Sequence, residues 1–165
     1  RAVRRQLGVV LQSGKIIAGD IFTNIIGSLQ LTIDDAWEAA RRAGFEQDIK
    51  DMPMGMHTVL NEGASTLSGG QRQRLMIARA IVHKPRIVYF DEATSALDNE
   101  TQAKVSKSLD NLKVTRVVIA HRLSTIINAD RIFVIDKGKL VQEGSYDELI
   151  KQEGLFAELA KRQIA

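Results

Sequence analysis

Short apolar runs alternate along this chain with segments of helical periodicity. Three of the runs are rich in Val and Ile, as expected of strands buried on both faces: Leu7–Leu11, Ile87–Phe90 and Arg116–Ala120. Each run leads into polar side chains, which are Gln12, the pair Asp91-Glu92, and His121. Strands that alternate with helices and end in polar residues predict a parallel α/β sheet whose ligand lies at the carboxyl ends of the strands.

Helices are predicted between and after these strands. Thr32 can cap a helix that begins with the favourable negative charge of Asp34 and Asp35 and stops at Gly44. A long helix opens at Ser68 and reaches about His83, since Pro85 prevents its continuation. The remaining predicted elements are a helix from Asp98 to about Leu112, strands at Arg131–Ile135 and Lys139–Gln142 joined by a turn at Lys137-Gly138, and a final amphipathic helix holding Leu149, Phe156 and Leu159.

Composition limits the classes of protein to consider. The 165 residues suit one domain, and 44% hydrophobic with 26% charged residues excludes disordered and fibrous chains. Lys and Arg outnumber Asp and Glu by only 23 to 20, so the charge gives no support for nucleic-acid binding. The chain has no cysteine, which excludes disulfides and thiolate metal sites. No apolar stretch approaches the roughly 18 residues that a membrane span requires.

The segment Leu67-Ser68-Gly69-Gly70-Gln71 carries the strongest chemical signal. Ser68 and Gln71 fit the capping-box pattern of a helix start. The two glycines go beyond a cap, because backbone without side chains at a helix amino terminus lets an anion approach several free N–H groups. Both readings, a plain cap and an anion site, are compatible with the residues.

Two acidic residues stand at the end of the second apolar run. Asp91 there can hold Mg²⁺ through water while Glu92 polarises an attacking water molecule. Taken alone, such a pair is more often a solvated acidic turn. His121 could contact a terminal phosphate and Gln12 could contact both metal and water, but neither residue is informative by itself.

The order of these motifs resembles the ATP-binding cassette of ABC transporters, over essentially the whole chain. The resemblance implies ATP and Mg²⁺ as cofactors and a partial P-loop NTPase (RecA-like) parallel sheet with a helical ABC signature subdomain. It implies a helical subdomain at about residues 27–83, with residues 1–26 and 84–165 as parts of the core. By this resemblance the site residues are Gln12 of the Q-loop, which also faces Mg²⁺, the signature residues Ser68, Gly69, Gly70 and Gln71, the Walker B acid Asp91 as metal ligand, the general base Glu92, the D-loop Asp98 and the switch His121.

Other segments resemble the exporter class within this family. The sequence Met52-Pro53-Met54-Gly55, followed by Thr58 and Glu62, is typical of exporters. The amino-acid sequences of Asp51–Thr58 and Gly154–Leu159 are similar to those of bacterial peptide and bacteriocin exporters. Gly63 departs from the pattern, since exporters often carry Arg there. The resemblance implies a dimer with a second ABC ATPase domain, a transmembrane domain of the same transporter, no nucleic acid, and only indirect contact with an exported peptide. It places the domain on the cytoplasmic side of the bacterial inner membrane.

A Walker A motif is missing from the sequence. The pattern G-x-x-x-x-G-K-[ST] is not met at Gly14-Lys15 or at Gly138-Lys139, the two Gly-Lys pairs of the chain. We therefore expect an N-terminally truncated domain that has no ATPase activity on its own. We also expect an open sheet edge next to Leu7–Leu11 or Ile87–Phe90, where the missing strand would lie.

Two further classes of protein remain open at this point. One is a soluble ABC ATPase that works on DNA or ribosomes without a transporter. The other is a non-catalytic interaction module that grips a partner helix with the region around Trp37 and Phe45.

Overall fold

The computed structural model describes residues 3, 6–11, 14–62, 66–91, 100, 103, 105, 107, 114–120 and 122–164. The chain divides into two compact units, residues 1–119 and residues 120–165. Within the described ranges, no helix is long and apolar enough to cross a membrane.

The first unit contains both a sheet and a group of helices. Its elements in chain order are β1 (Leu7–Val10), β2 (Gly19–Asp20), α1 (Ile21–Ile26), α2 (Ile33–Arg42), α3 (Glu46–Asp51), a 3₁₀ turn (Gly55–His57), β3 (Val59–Leu60), α4 (Gly69–Ile81), β4 (Ile87–Asp91) and β5 (Thr115–Ile119). Residues 100, 103, 105 and 107 are also helical, within the range where a helix is predicted.

Strands β1, β4 and β5 form a parallel sheet with β4 in the middle. Val10 pairs with Phe90, and Phe90 pairs in turn with Val118, so the three strands end at the same edge. The predicted parallel sheet is confirmed. Because β4 has a hydrogen-bonded strand on each side, the expected open edge does not lie at Ile87–Phe90, and β1 and β5 are the outer strands among the described residues.

In the part of the chain that the structure describes, strands β1 and β4 are covered on one face only, and β5 is exposed on both. Val88 and Phe90 are buried in β4, whereas Tyr89 between them is 39% exposed, and all five residues of β5 are exposed. In β1, Val10 is buried and Val9 is 51% exposed. The prediction of strands buried on both faces is therefore wrong here, because an apolar run does not by itself distinguish one covered face from two.

Helix α2 shows how local sequence sets the helical layer. Thr32 Oγ1 accepts the Asp35 N–H at 3.2 Å and Asp35 Oδ2 accepts the Thr32 N–H at 2.9 Å, which is a complete capping box. The hydrogen bond from the Thr32 N–H, followed by one from the Thr32 hydroxyl to the same carboxylate oxygen at 2.8 Å, lowers the pKa of the Asp35 carboxyl. The helix ends at Arg42 and Gly44 follows with a φ of +68°, so both predicted ends are confirmed.

Helices α1 and α2 pack on α4 around one hydrophobic core. Alanines form the buried face of α2, which allows close approach of the helices. Phe45 is fully buried in this core, and Trp37 packs against it half-buried. A partner-gripping surface that uses Phe45 is therefore excluded, because its ring has no exposed area.

Asn24 is a fully buried polar residue at the centre of the helical layer. Its Nδ2 donates to the carbonyls of Ile17 at 2.9 Å and Asp20 at 3.0 Å, and its Oδ1 accepts the Ile17 N–H at 3.1 Å. Oδ1 also accepts from the Arg79 guanidinium at 2.6 Å, and Arg79 donates further to the carbonyls of Asn24 at 2.6 Å and Lys15 at 2.9 Å. Burial lowers the pKa of Arg79. The last turn of α4 thus holds the segment between β1 and α1.

The second unit is built on a two-stranded antiparallel sheet. Its elements are α5 (Leu123–Ile126), β6 (Ile132–Asp136), β7 (Lys139–Gly144), α6 (Tyr146–Leu149) and α7 (Leu155–Ile164). Lys137 and Gly138 have φ values of +47° and +74°, as a two-residue hairpin turn requires, so the predicted turn is confirmed. Ser145 and Glu148 form a second capping box of the Thr32–Asp35 kind at the start of α6.

The single amphipathic helix predicted near the carboxyl end is two helices. Gly154 separates α6 from α7 with a φ of +153°, a conformation that favours glycine. Gln142 Oε1 then accepts the Phe156 N–H at 2.9 Å and so satisfies a donor at the start of α7. Leu149 and Phe156 are buried as predicted, whereas Leu159 is 44% exposed.

We expect Asn24→Ala to destabilise the protein by about 2–4 kcal/mol, because it leaves the polar groups of Ile17 without their side-chain partner and removes one of the three acceptors of the Arg79 guanidinium. Urea unfolding followed by circular dichroism measures this loss. The control is the exposed Asn61→Ala, expected within about 0.5 kcal/mol of the parent. Equal midpoints for the two variants would contradict the role of Asn24.

Candidate functional site

The predicted signature segment lies at the surface, at the start of α4. Leu67 is 6% exposed and anchors the turn in the core, whereas Ser68 and Gly69 are exposed. Helix α4 begins at Gly69 and ends at Ile81, close to the predicted bounds. An anion carried by a second molecule can therefore reach this helix start from solvent.

The turn forms a complete capping box. Ser68 Oγ accepts the Gln71 N–H at 3.2 Å, and Gln71 Oε1 accepts the Ser68 N–H at 2.9 Å. The N–H groups of Gly69 and Gly70 lie in the first turn, where an α-helix supplies no internal partner. The cap and the anion site are thus compatible, because the cap fixes the turn and the glycines leave its N–H groups unobstructed.

A charged contact supports the turn from the neighbouring helix. Asp48 of α3 accepts a hydrogen bond from Gln71 Nε2 at 3.0 Å. The Arg74 guanidinium donates to both carboxylate oxygens of Asp48, each at 2.9 Å. The side chains of Arg74 and Asp48 are only 12% and 22% exposed, so this is a partly buried ion pair.

The carboxyl edge of the parallel sheet holds the second part of the predicted site. Asp91 is the last residue of β4 and pairs with Ile119, the last residue of β5. A carboxylate oxygen is a ligand that Mg²⁺ prefers, so Asp91 fits the predicted metal. In the described part of the chain, no group of three or more His, Cys, Asp or Glu side chains forms a metal cluster. Asp91 is accordingly the one predicted metal ligand whose position the structure describes.

Four predicted site residues lie outside the described residues: Gln12, Glu92, Asp98 and His121. Their assigned roles stay predictions. The sheet nevertheless brings together the strand ends after which three of them follow in sequence, because β1, β4 and β5 are parallel and end in register. The helical subdomain bounds at residues 27–83 likewise stay a prediction.

The loop that follows β1 is fixed by polar contacts at its far end. Asp20 caps α1 by accepting the Thr23 N–H at 2.8 Å, and its other carboxylate oxygen lies 2.9 Å from His57 Nδ1. Partial burial acts to raise the pKa of Asp20, but the hydrogen bonds from Thr23 and His57 outweigh it and the pKa is lowered.

Sequence reasoning did not find three residues that organise the site: Asp48, Asn24 and Arg79. For Asp48 a signal was present, because Gln71 and Arg74 are three residues apart and share one face of α4. A cation on that face, next to the signature, predicts an acidic partner on a neighbouring element. Nothing in the sequence indicates the partners of Asn24, whose contacts to Arg79 span 55 positions.

Comparisons with known proteins agree with this arrangement. The sequence profile of the family described as ABC transporter matches residues 1–95. The chain is 44% identical over 165 residues to "ABC transporter B family member 2" of Dictyostelium discoideum, covering 98% of this chain and 12% of the relative. It is 45% identical over 165 residues to "Alpha-hemolysin translocation ATP-binding protein HlyB" of Escherichia coli O157:H7, covering 98% of this chain and 23% of the relative.

A solved structure gives the same result in three dimensions. The structure of a bacterial Atm1-family ABC exporter with ATP bound is similar with a TM-score of 0.94 and 38% identity, over 98% of this chain and 29% of that one. The fold is thereby a mixed α/β domain of the P-loop NTPase type. The chain belongs to the ABC transporter family, and it spans between 12% and 29% of the length of these three relatives.

Proposed function

We propose that this chain forms the signature-bearing part of the nucleotide-binding domain of an ABC exporter, which couples ATP binding and hydrolysis to export of a peptide. The observation that carries the proposal is the turn at the start of α4, where Ser68 and Gly69 are exposed and Gly70 is half-buried, in a chain that resembles an ATP-bound exporter with a TM-score of 0.94. ATP and Mg²⁺ are the proposed cofactors.

The signature turn binds the terminal phosphate of ATP that a second ABC ATPase domain presents. Ser68 Oγ already accepts the Gln71 N–H, so its own hydroxyl proton is free to be donated to a phosphate oxygen. The N–H groups of Gly69 and Gly70 donate beside it. Phosphoryl transfer depends mainly on positioning and charge neutralisation, which is what these donors supply.

The hydrolytic residues belong to the carboxyl edge of the sheet. Asp91 holds Mg²⁺, which neutralises phosphate charge when bound. Glu92 accepts the proton of the attacking water, and His121 contacts the terminal phosphate. Gln12 contacts the metal and the attacking water through its amide oxygen, and the D-loop Asp98 contributes to nucleotide binding.

The remaining parts of the proposal concern partners and place. The domain works as a dimer against a transmembrane domain of the same transporter, on the cytoplasmic side of the bacterial inner membrane. The peptide substrate is supported by the resemblance of Asp51–Thr58 and Gly154–Leu159 to peptide exporters. HlyB, to which the chain is 45% identical, is itself named for translocation of alpha-hemolysin.

Hydrolysis is tested in the full-length transporter reconstituted in liposomes. Glu92→Gln is expected to lower the Mg²⁺-dependent ATPase rate by about a hundredfold or more, because it removes the general base. The matched control Glu153→Gln changes an exposed carboxylate and is expected to stay within about twofold of the parent. Equal rates in the two variants would contradict the assignment of Glu92.

The substrate class is tested in the same liposomes. ATP-dependent uptake of a labelled peptide, lost in Glu92→Gln, is the expected result. Uptake of labelled lipid without any uptake of peptide would overturn the peptide assignment and leave the ATPase assignment intact.

The 165-residue polypeptide alone is expected to show no ATPase activity, because its sequence has no Walker A cradle for the β- and γ-phosphates. Phosphate release over hours at millimolar ATP and Mg²⁺ measures this. Turnover that requires Mg²⁺ and disappears in Glu92→Gln would contradict the expectation.

A further inference from the structure

We infer that Asp48 is a positioning residue for the signature turn and that it acts through Gln71. The Gln71 side chain itself links the Ser68 backbone to Asp48 and so holds the turn in place. This inference rests on the proposed function for its effect on ATP. It divides the signature into Ser68, Gly69 and Gly70, which face the nucleotide, and Gln71, which holds them in place.

The Gln71 amide is occupied at both ends. Its Oε1 accepts the Ser68 N–H at 2.9 Å, and its Nε2 donates to Asp48 Oδ1 at 3.0 Å. The orientation of an amide held by one acceptor contact and one donor contact is defined, because a flip would place like groups against each other. Asp48 therefore favours the same orientation of the Gln71 amide as the Ser68 N–H does and holds its Nε2 end in place.

The contact between Asp48 and Gln71 also depends on the charge of Arg74, which binds the same carboxylate. Its guanidinium is bound to both oxygens of Asp48 at 2.9 Å, and its side chain is 12% exposed. Arg74 Nε is buried without a hydrogen-bond partner, so the compensation of this cation depends on Asp48 among the described residues. A partly buried cation that loses its anion is costly, so conformations of this part of α4 that expose the Arg74 guanidinium become more favourable when Asp48 loses its charge.

Asp48 stands on a different helix from the turn. Its neighbour Ile49 is fully buried, so α3 is fixed in the same core as Leu75 of α4. The Asp48 carboxylate thus connects the exposed turn to the hydrophobic core, although Asp48 and Gln71 are 23 positions apart in sequence. Displacing the turn relative to α3 breaks two charge-assisted contacts at once.

The first test measures the turn itself, without nucleotide. Hydrogen–deuterium exchange of the full-length protein is compared between Asp48→Asn and the matched control Asp51→Asn, an exposed carboxylate on the same helix. Exchange at residues 68–71 is expected to rise about tenfold in Asp48→Asn, the scale of one lost charge-assisted hydrogen bond, and to stay within about twofold in the control. Equal exchange in the two variants overturns the inference, whatever the ATPase activity.

The second test measures the consequence for ATP. Asp48→Asn is expected to raise the KM for ATP about tenfold with a smaller change in kcat, and the double variant Asp48→Asn with Arg74→Gln to recover most of that loss, because a neutral pair leaves no unpaired cation. A fall in kcat and in thermal stability together, with unchanged KM and no recovery in the double variant, indicates a merely structural contact and overturns the inference. Raised exchange at residues 68–71 in a protein whose parent shows no ATP turnover supports Asp48 as a positioning residue and overturns the proposed function instead.

Discussion

Helix α4 is held at both of its ends by polar contacts with different parts of the chain, and these contacts set the positions of the signature turn and of the segment from Lys15 to Asn24. At its amino end, Ser68, Gln71 and Asp48 fix the exposed turn. In its last turn, Arg79 binds Asn24 and the carbonyl of Lys15. The apolar residues between these ends supply most of the burial, but they specify neither the rotation nor the axial position of the helix as sharply as directional hydrogen bonds do.

The consequence is a physical connection between the segment at Lys15 and Ile17 and the signature turn, which are far apart in sequence. The segment that follows Gln12 passes Lys15 and Ile17, and both of these residues are bound to the Asn24–Arg79 pair. The same helix carries Ser68 and Gly69 at its other end. A displacement of the loop after β1 is therefore resisted by, or transmitted through, a single rigid element of 13 residues.

Sequence reasoning succeeded where the determinant is local. The helix starts at Thr32 and Ser68 were predictable because a capping box needs two residues three positions apart, and the Lys137-Gly138 turn because only a few residue types adopt its geometry. It failed where the determinant is the environment: the apolar composition of Thr115–Ile119 matches a buried strand, yet every residue there is exposed. The pairs Asp48–Gln71 and Asn24–Arg79 were missed because their members are 23 and 55 positions apart.

Among the three capping boxes of the described residues, the one at Ser68 is distinguished by the charge of its third helix residue. The third residue of α2 is Asp35 and that of α6 is Glu148, so those helix starts carry carboxylates that cancel the positive end of the helix dipole. At α4 the same position is the neutral Gln71, and the first turn has no acidic residue. The geometry of the cap is kept without a carboxylate in the cap itself, and the nearby Asp48 is paired with Arg74, so the positive end of the helix dipole at α4 is not cancelled by its capping residue and can favour an incoming phosphate.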